Sequence, residues 1–191
     1  MRNVAFTRDR TNAGFTLIEM LTVTVIVAIL LAIAAPSFRY VTTANRASSE
    51  INGLLGDMQF ARAEAIREGQ PVTICASTDG VTCAGAGTTW QTGWLVFSDI
   101  GPNPGVISAP PDSVLKFQKP FSGQDTLQSD QGVFLVTFSR DGFALSLPNP
   151  VTFTLHDSTS NAQYTRCLSL TIVGALSTQI GGALTAEGNA C

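Results

Sequence analysis

The pattern of apolar and polar positions divides the chain into three stretches, and the first is an apolar run from Phe15 to Ala35. At 1.5 Å of rise per residue, a helix of this length is about 30 Å long, enough to cross a bilayer. Glu19 is the only charged residue in the run. A carboxylate within a membrane helix is costly, so it requires a partner or a function. The pattern predicts a transmembrane helix over 15–35 with one functional acid.

The second stretch, 36–69, keeps a helical period but is amphipathic. Its apolar stripe has i, i+3, i+4, i+7 spacing and consists of Ala44, Ala47, Ile51, Leu54, Leu55, Met58, Ala61 and Ala65. Pro36 is expected to kink the helix rather than end it, and Gly69-Gln70-Pro71 is expected to stop it. Phe60 lies off the stripe, where either loops or another subunit would cover it. The apolar face is expected to pack on a sheet.

The third stretch, 70–191, has short apolar runs separated by Gly, Pro, Asn and Asp, which is typical of β structure. The expected strands are Val72–Cys75, Gly93–Ser98, Val114–Gln118, Val133–Phe138, Phe143–Leu147, Thr152–His156 and Cys167–Ile172. The segment Ser139–Gly142 is expected to be a hairpin turn, because Asp-Gly supplies the backbone conformations that such turns need. Residues 78–89, 100–112 and 124–131 are expected to be loops. The predicted fold class is α+β.

The charge distribution orients the predicted membrane helix. The head before it carries Arg2, Arg8 and Arg10 against one acid, Asp9. Because basic flanks remain on the cytoplasmic side, the remainder of the chain is expected across the membrane. Beyond Tyr40 the net charge is about −5, which disfavours nucleic acid as a default partner.

The composition shows no pattern typical of an enzyme or a metal site. The single histidine, His156, ends a predicted strand, and no G-x-S-x-G is present. Asp99, Asp112 and Asp141 form no calcium-loop pattern, so we interpret them as turn residues. All four cysteines lie beyond the helix, and an even number in an oxidising compartment favours disulfides over zinc, since C-x-x-C spacing is absent. Neither cofactor nor metal is expected.

The segment Gly14-Phe15-Thr16-Leu17-Ile18-Glu19 resembles the class III signal of type IV prepilins and pseudopilins. The resemblance implies that residues 1–14 are a leader peptide, removed by a prepilin peptidase after Gly14, and that Phe15 is then N-methylated. It also implies that Glu19 meets the terminal ammonium of a neighbouring subunit during assembly. The charge argument agrees, since a carboxylate is the natural counter-charge for a cation in a low-dielectric zone. The alternative is a glutamate that reaches back to water.

A second interpretation of the same segment is an ordinary secretory signal. Ala32-Ile33-Ala34 is an A-x-A sequence, as found at signal-peptidase sites. The apolar region of such signals is normally about 7–15 residues, which is shorter than this run. Cleavage there would release a soluble exported domain.

Three downstream segments resemble the GspH/FimT (FimU) branch of pilin-like proteins: 61–67 (ARAEAIR), 93–99 (GWLVFSD) and 138–142 (FSRDG). This branch implies a long helix packed on an antiparallel two-sheet β domain over 70–191. Pilins often have a disulfide near the C-terminus, and of the three possible connectivities we expect Cys75–Cys83 and Cys167–Cys191.

The C-terminal tail separates two functions within this branch. Competence-type relatives bind DNA through a G-R-x-R motif in the tail, whereas here no arginine follows Arg166. Because phosphate contacts need clustered cations, a DNA-uptake pilin is the disfavoured alternative.

The sequence therefore predicts a non-enzymatic minor pilin or pseudopilin that primes or caps a type IV pilus or a type II secretion pseudopilus. Its expected partners are the prepilin peptidase, other minor subunits, the major subunit and the inner-membrane assembly platform. The expected location is the inner membrane, single-pass, with a periplasmic domain over 70–191.

Overall fold

The fold was obtained as a computed structural model that describes residues 14–87, 89–108, 110–182 and 191. The chain forms two compact units, of which the first ends at Val41 and the second runs from Thr42 to Cys191. One helix, α1 (Leu17–Glu68), provides most of the described first unit and the beginning of the second. The predicted leader, apart from Gly14, lies outside the described residues.

Helix α1 has 52 residues and continues through Pro36 without a break. It ends where the sequence predicts. Gly69 adopts a φ of 69°, and the amides of Gly69 and Gln70 both donate to the Ala65 carbonyl, at 3.0 and 3.3 Å. The second of these bonds is the 6→1 bond of a Schellman motif, which satisfies a carbonyl that the helix end leaves free.

The second unit contains two four-stranded antiparallel sheets. The first sheet has the order β3-β2-β1-β5, with β1 (Val72–Ala76), β2 (Trp94–Ser98), β3 (Ser113–Gln118) and β5 (Leu135–Phe138). The second has the order β4-β6-β7-β8, with β4 (Thr126–Ser129), β6 (Val151–His156), β7 (Arg166–Leu170) and β8 (Leu176–Ile180). A short 3-10 helix, Trp90–Thr92, precedes β2. The predicted α+β class is confirmed.

The core lies between the amphipathic part of α1 and the two sheets. The helix contributes the predicted stripe, of which Ala47, Ile51, Leu54, Met58, Ala61 and Ala65 are buried, and Phe60 is half-buried against the same cluster. Both sheets contribute their facing side chains, among them Ile74, Val96, Val136, Phe138, Leu127, Phe153, Leu155 and Leu168. The first sheet is also covered on its other face, where Cys75, Leu95 and Phe97 form a smaller cluster.

Three β predictions are wrong. The segment 124–131, expected to be a loop, contains β4, and β8 was not predicted. The segment 143–147, expected to be a strand, makes only the isolated bridge Phe138↔Ala144. Its amides bond to different elements: the Ala144 amide donates to the carbonyl of Ile172, which follows β7, and the Leu145 amide donates to the carbonyl of Thr137 on β5. The turn before it forms as expected, with Gly142 at a φ of 81° and its amide bonded to Ser139.

Candidate functional site

The apolar N-terminal part of α1 is exposed around its whole circumference. Side chains from Phe15 to Ile33 are mostly about half exposed or more, with Phe15 at 79% and Leu17 at 83%. The best window for membrane crossing within α1 has a mean hydropathy of 2.7, and none of it is buried by the protein. A core helix would bury such residues, so this segment is suited to lipid or to neighbouring helices.

Thr16 caps the helix next to the predicted processing site. The Glu19 amide donates to Thr16 Oγ1 at 3.3 Å, and the Met20 amide donates to the Thr16 carbonyl at 3.2 Å. This is one half of a capping box, the T-x-x-E arrangement that satisfies free amides at a helix start. Gly14 and Phe15 therefore lie just outside the helix, next to a fixed first turn.

Glu19 is exposed in that first turn. In the described part of the chain, no cation forms an ion pair with its carboxylate. The other polar groups of the segment are satisfied within the helix, since Thr22 and Thr24 hydroxyls donate to the Glu19 and Leu21 carbonyls at 2.9 Å. Such bonds let threonine enter an apolar environment. Glu19 is then the one group of the apolar run for which the described structure provides no counter-charge.

In the second unit, Arg62 connects the helix to two loop tips. Its Nε donates to the Gly142 carbonyl at 2.9 Å, and its Nη2 lies 3.5 Å from the Val173 carbonyl. A Cβ built at Gly174, whose φ is 75°, would lie 2.2 Å from the Gly142 carbonyl oxygen. Two of the segments on which the family resemblance rests, 61–67 and 138–142, are therefore in direct contact.

The third of those segments contacts the helix through a buried acid. Trp94 Nε1 donates to Asp57 Oδ2 at 2.9 Å, and Lys116 on β3 pairs with Asp57 Oδ1. Sequence reasoning missed Asp57, which lies between Leu54 and Met58 of the apolar stripe. An acid in a buried stripe was the available signal. Trp94 and Trp90 are both core residues, and Trp90 Nε1 donates to the Val133 carbonyl at 2.8 Å.

Two of the three aspartates interpreted as turn residues, Asp99 and Asp112, organise the loop between β2 and β3. Asp112 accepts the amides of Ile100, Gly101 and Ser108, each at 2.7 Å. Burial raises the pKa of Asp112, but these three bonds outweigh it and hold the pKa below its usual range. Asp99 accepts the Thr73 hydroxyl and the Gly105 amide. Asp141 is exposed, beside Arg140.

The structure contains two disulfides, Cys75–Cys83 and Cys167–Cys191. The first joins β1 to the loop after it, and the second joins β7 to residue 191. In addition, the Gly182 amide donates to the Cys191 carbonyl at 3.2 Å. Residues 183–190 lie outside the described part of the chain.

Nothing in the described part of the chain forms a catalytic or metal-binding arrangement. His156 Nδ1 lies 3.1 Å from the Thr165 hydroxyl, at the end of β6. No group of three or more His, Cys, Asp or Glu residues able to hold a metal ion occurs among the described residues. Arg166, the last arginine of the sequence, bonds Ser48 and the carbonyls of Gln163 and Thr165.

Comparison with solved structures finds a similar fold in a minor pilin. It is similar to the type IV minor pilin FimU of Pseudomonas aeruginosa, with 21% identity over 71% of this chain and 89% of that one, and a TM-score of 0.56. A second crystal form of FimU gives a TM-score of 0.51, at 21% identity over 70% of this chain and 90% of that one. The minor pseudopilin EpsH of the Vibrio cholerae type 2 secretion system gives 0.48, at 12% identity over 71% and 97%.

Two family profiles match the sequence, whereas no curated protein matches it significantly. Residues 9–35 match the prokaryotic N-terminal methylation motif, and residues 50–174 match the family described as type II transport protein GspH. The first match covers Gly14, Phe15 and Glu19 and implies processing by a prepilin peptidase. The second covers Asp57, Arg62 and Trp94 together with the three segments 61–67, 93–99 and 138–142. The chain therefore belongs to the GspH family of structural, non-enzymatic pilins and pseudopilins.

Proposed function

We propose that this chain is a minor subunit that primes or caps the assembly of a type IV pilus or a type II secretion pseudopilus. The peptidase would cut between Gly14 and Phe15, and Phe15 would be N-methylated. Until assembly, 15–35 would hold the protein in the inner membrane, with the N-terminus cytoplasmic and the folded domain periplasmic. The partners would be other minor subunits, the major subunit and the assembly platform.

The observation that carries this proposal is the exposed apolar helix with one carboxylate that no described residue compensates, on the same chain as a GspH domain. Cleavage after Gly14 creates a new ammonium at Phe15, four positions before Glu19. A neighbouring subunit in a helical bundle presents the same pair of groups. In a low-dielectric bundle, an ammonium and a carboxylate attract strongly once both are desolvated. Glu19 would therefore favour insertion in register with a neighbour's terminus.

Counting surface pili on cells that lack this gene tests the role and the machine together. For a pilus subunit, we expect pili to be lost and to return on complementation with the wild-type gene. For a pseudopilus subunit, pili remain and exoproteins accumulate in the periplasm. Normal pili together with normal secretion would contradict the proposal.

The charge step is tested in the same strain by complementation with Glu19→Ala. This variant should reach the membrane and be processed but incorporate poorly into sheared filaments, because the neighbour's ammonium then has no counter-charge. Glu64→Ala, an acid of the same helix in the folded domain, is the matched control and should incorporate normally. Equal incorporation of both variants would show that the Glu19 charge is unnecessary.

A further inference from the structure

The beginning of α1 within the second unit is fastened to the segment before β4 by one ion pair. Arg46 Nε and Nη2 donate to the two carboxylate oxygens of Asp125, both at 2.7 Å. The Asp125 side chain is fully buried, whereas that of Arg46 is 43% exposed. A two-pronged arginine–carboxylate pair fixes orientation as well as distance. It therefore positions the helix against this segment.

Glu50 lies one helical turn after Arg46, beside the same carboxylate. Its Oε2 is buried and has no hydrogen-bond partner among the described residues. Burial, then the hydrogen bond and charge of Asp125, raise the pKa of Glu50 to about 7, against a smaller opposing effect of Arg46. Two carboxylates thus share one guanidinium, and the proton on Glu50 removes the repulsion between them.

An open cleft of about 360 Å³ adjoins this cluster. Glu50, Ser49 and Gly53 line it from the helix, and Trp94, Phe121 and Ser122 line it from the first sheet and the segment after β3. A Cβ built at Gly53 would meet nothing within 4 Å, so the helix side is not closely packed. Trp94 and Phe121 contact edge to face, with ring centroids 6.0 Å apart. Phe121 packs against the main core but is only partly buried, so the contact between the helix and the segment 121–125 depends on the charge cluster as well as on apolar packing.

We propose that a proton on Glu50 holds α1 against the segment 121–125, and that loss of this proton loosens the contact and destabilises the folded domain. When Glu50 ionises, its charge competes with Asp125 for Arg46 and repels Asp125. The change falls between about pH 5 and pH 7, so the domain responds to the acidity of its surroundings.

Among the residues that the structure describes, the other charges near the cluster do not supply a second counter-ion for Glu50. Asp157, in the turn between β6 and β7, acts on Arg46, and its carboxylate is bonded to Thr159 and Asn161. Lys116, on β3, is engaged by Asp57. Ionised Glu50 therefore depends on a guanidinium that Asp125 already holds.

The sign of the pH effect follows from the raised pKa. An unfolded glutamate loses its proton near pH 4.5, whereas folded Glu50 retains it to about pH 7. Between these values the folded state binds more protons, so stability falls as pH rises. The contribution stops changing about one pH unit above the folded pKa, where Glu50 is ionised in both states.

The test compares wild-type full-length protein in detergent micelles with Glu50→Gln, which mimics the protonated side chain. Thermal unfolding is followed by tryptophan fluorescence from pH 5 to pH 8. Relative to Glu50→Gln, the wild-type Tm should fall by about 3–6 °C over this range, as expected for a partly exposed group in a domain of this size. Glu64→Gln is the matched control on the same helix and should follow the wild type. His156 is present in every protein, so any contribution it makes is common to all of them.

A constant difference between wild type and Glu50→Gln at every pH would overturn the proposal. A direct measurement needs no variant: the Glu50 carboxyl carbon, observed by NMR in the wild-type chain, should titrate with a midpoint near 7. A midpoint near the ordinary glutamate value would also overturn it, even if Glu50→Gln failed to fold.

Discussion

At the scale of single residues, a few charged side chains determine how the helix is attached to the β structure. Arg62 is the clearest case, since it bonds carbonyls in the turn after β5 and in the turn before β8. Carbonyls at loop tips otherwise depend on water, and a half-buried guanidinium replaces that water with a fixed donor. One side chain therefore joins the helix to both sheets.

Replacing Arg62 tests this attachment. Arg62→Ala should lower the free energy of unfolding by about 2 kcal/mol, because a charged hydrogen bond is lost and a carbonyl is left without its donor. Arg62→Lys should recover only part of this, since a single ammonium cannot reproduce the planar fork. The measurement is urea unfolding of the full chain in micelles, followed by tryptophan fluorescence.

Arg67→Ala is the control for Arg62→Ala. Arg67 makes ion pairs with Glu64 and Glu68 on the helix surface, and its side chain is 66% exposed. Because solvent screens exposed ion pairs, these pairs are expected to contribute little to stability. If Arg62→Ala lowered the free energy of unfolding no more than Arg67→Ala does, the Arg62 contacts would not stabilise the attachment of the helix.

Glu19 could be identified from the sequence, whereas Asp57 and Arg62 could not be assigned partners. An acid inside an unbroken apolar run is anomalous in its local context alone, so no structure is needed to notice it. The partners of Asp57 and Arg62 lie 37 to 111 residues away in the sequence. Their positions depend on how the sheets are arranged, which the local pattern does not specify.

At the scale of elements, the helix was predictable because its apolar stripe has a strict period and a clear stop signal. The buried strands β1 and β2 were also found, since both faces of their sheet are covered and their sequences are continuously apolar. The expected strand 143–147 alternates only at its start: Phe143 and Leu145 are exposed and Ala144 is buried, but the next buried residue is Leu147, three positions after Ala144. Alternation of apolar and polar residues indicates which side chains are buried, but it does not determine whether a neighbouring strand is present to pair with.

The strands β4 and β8, which the sequence did not predict, pair with a neighbouring strand but have few buried side chains. Only one residue of β4, Leu127, is buried, and none of β8 is fully buried. These edge strands are held by backbone ladders to β6 and β7 rather than by a hydrophobic pattern. Backbone hydrogen bonds place few requirements on the side chains, so β4 and β8 could not be predicted from the sequence pattern.

The Cys167–Cys191 disulfide connects β7 covalently to residue 191, which follows β8 in the sequence. Replacing both cysteines by serine should lower the free energy of unfolding by about 3 kcal/mol, the chain-entropy value for a loop of this size. The two cysteines are 24 residues apart, whereas Cys75 and Cys83 are 8 apart, so the Cys75–Cys83 disulfide constrains the unfolded chain less. Thermal unfolding of the double variant, with and without reductant, gives the measurement. An unchanged Tm would mean that the bond does not stabilise the domain.

At the scale of the whole molecule, one chain combines a membrane-type helix with a GspH domain, and its processing decides which function it can have. Mass spectrometry of protein purified from membranes should find a mature chain that begins at N-methylated Phe15. Glu19→Ala should give the same start, because the acid acts after cleavage. A chain that begins at Ala35 would instead indicate an ordinary secretory signal and would contradict the assembly role.

The attachment of α1 has a further consequence for the order in which the protein is made. The helix contacts described above join residues separated by at least 37 positions, and the Ser48–Arg166 bond spans 118. During synthesis from the N-terminus, the apolar stripe of α1 therefore remains incompletely covered until the strands of both sheets have been made. Long-range contacts of this kind form slowly and leave nascent chains prone to aggregation. The stripe 44–65 is thus the surface of the nascent chain that is most in need of a chaperone.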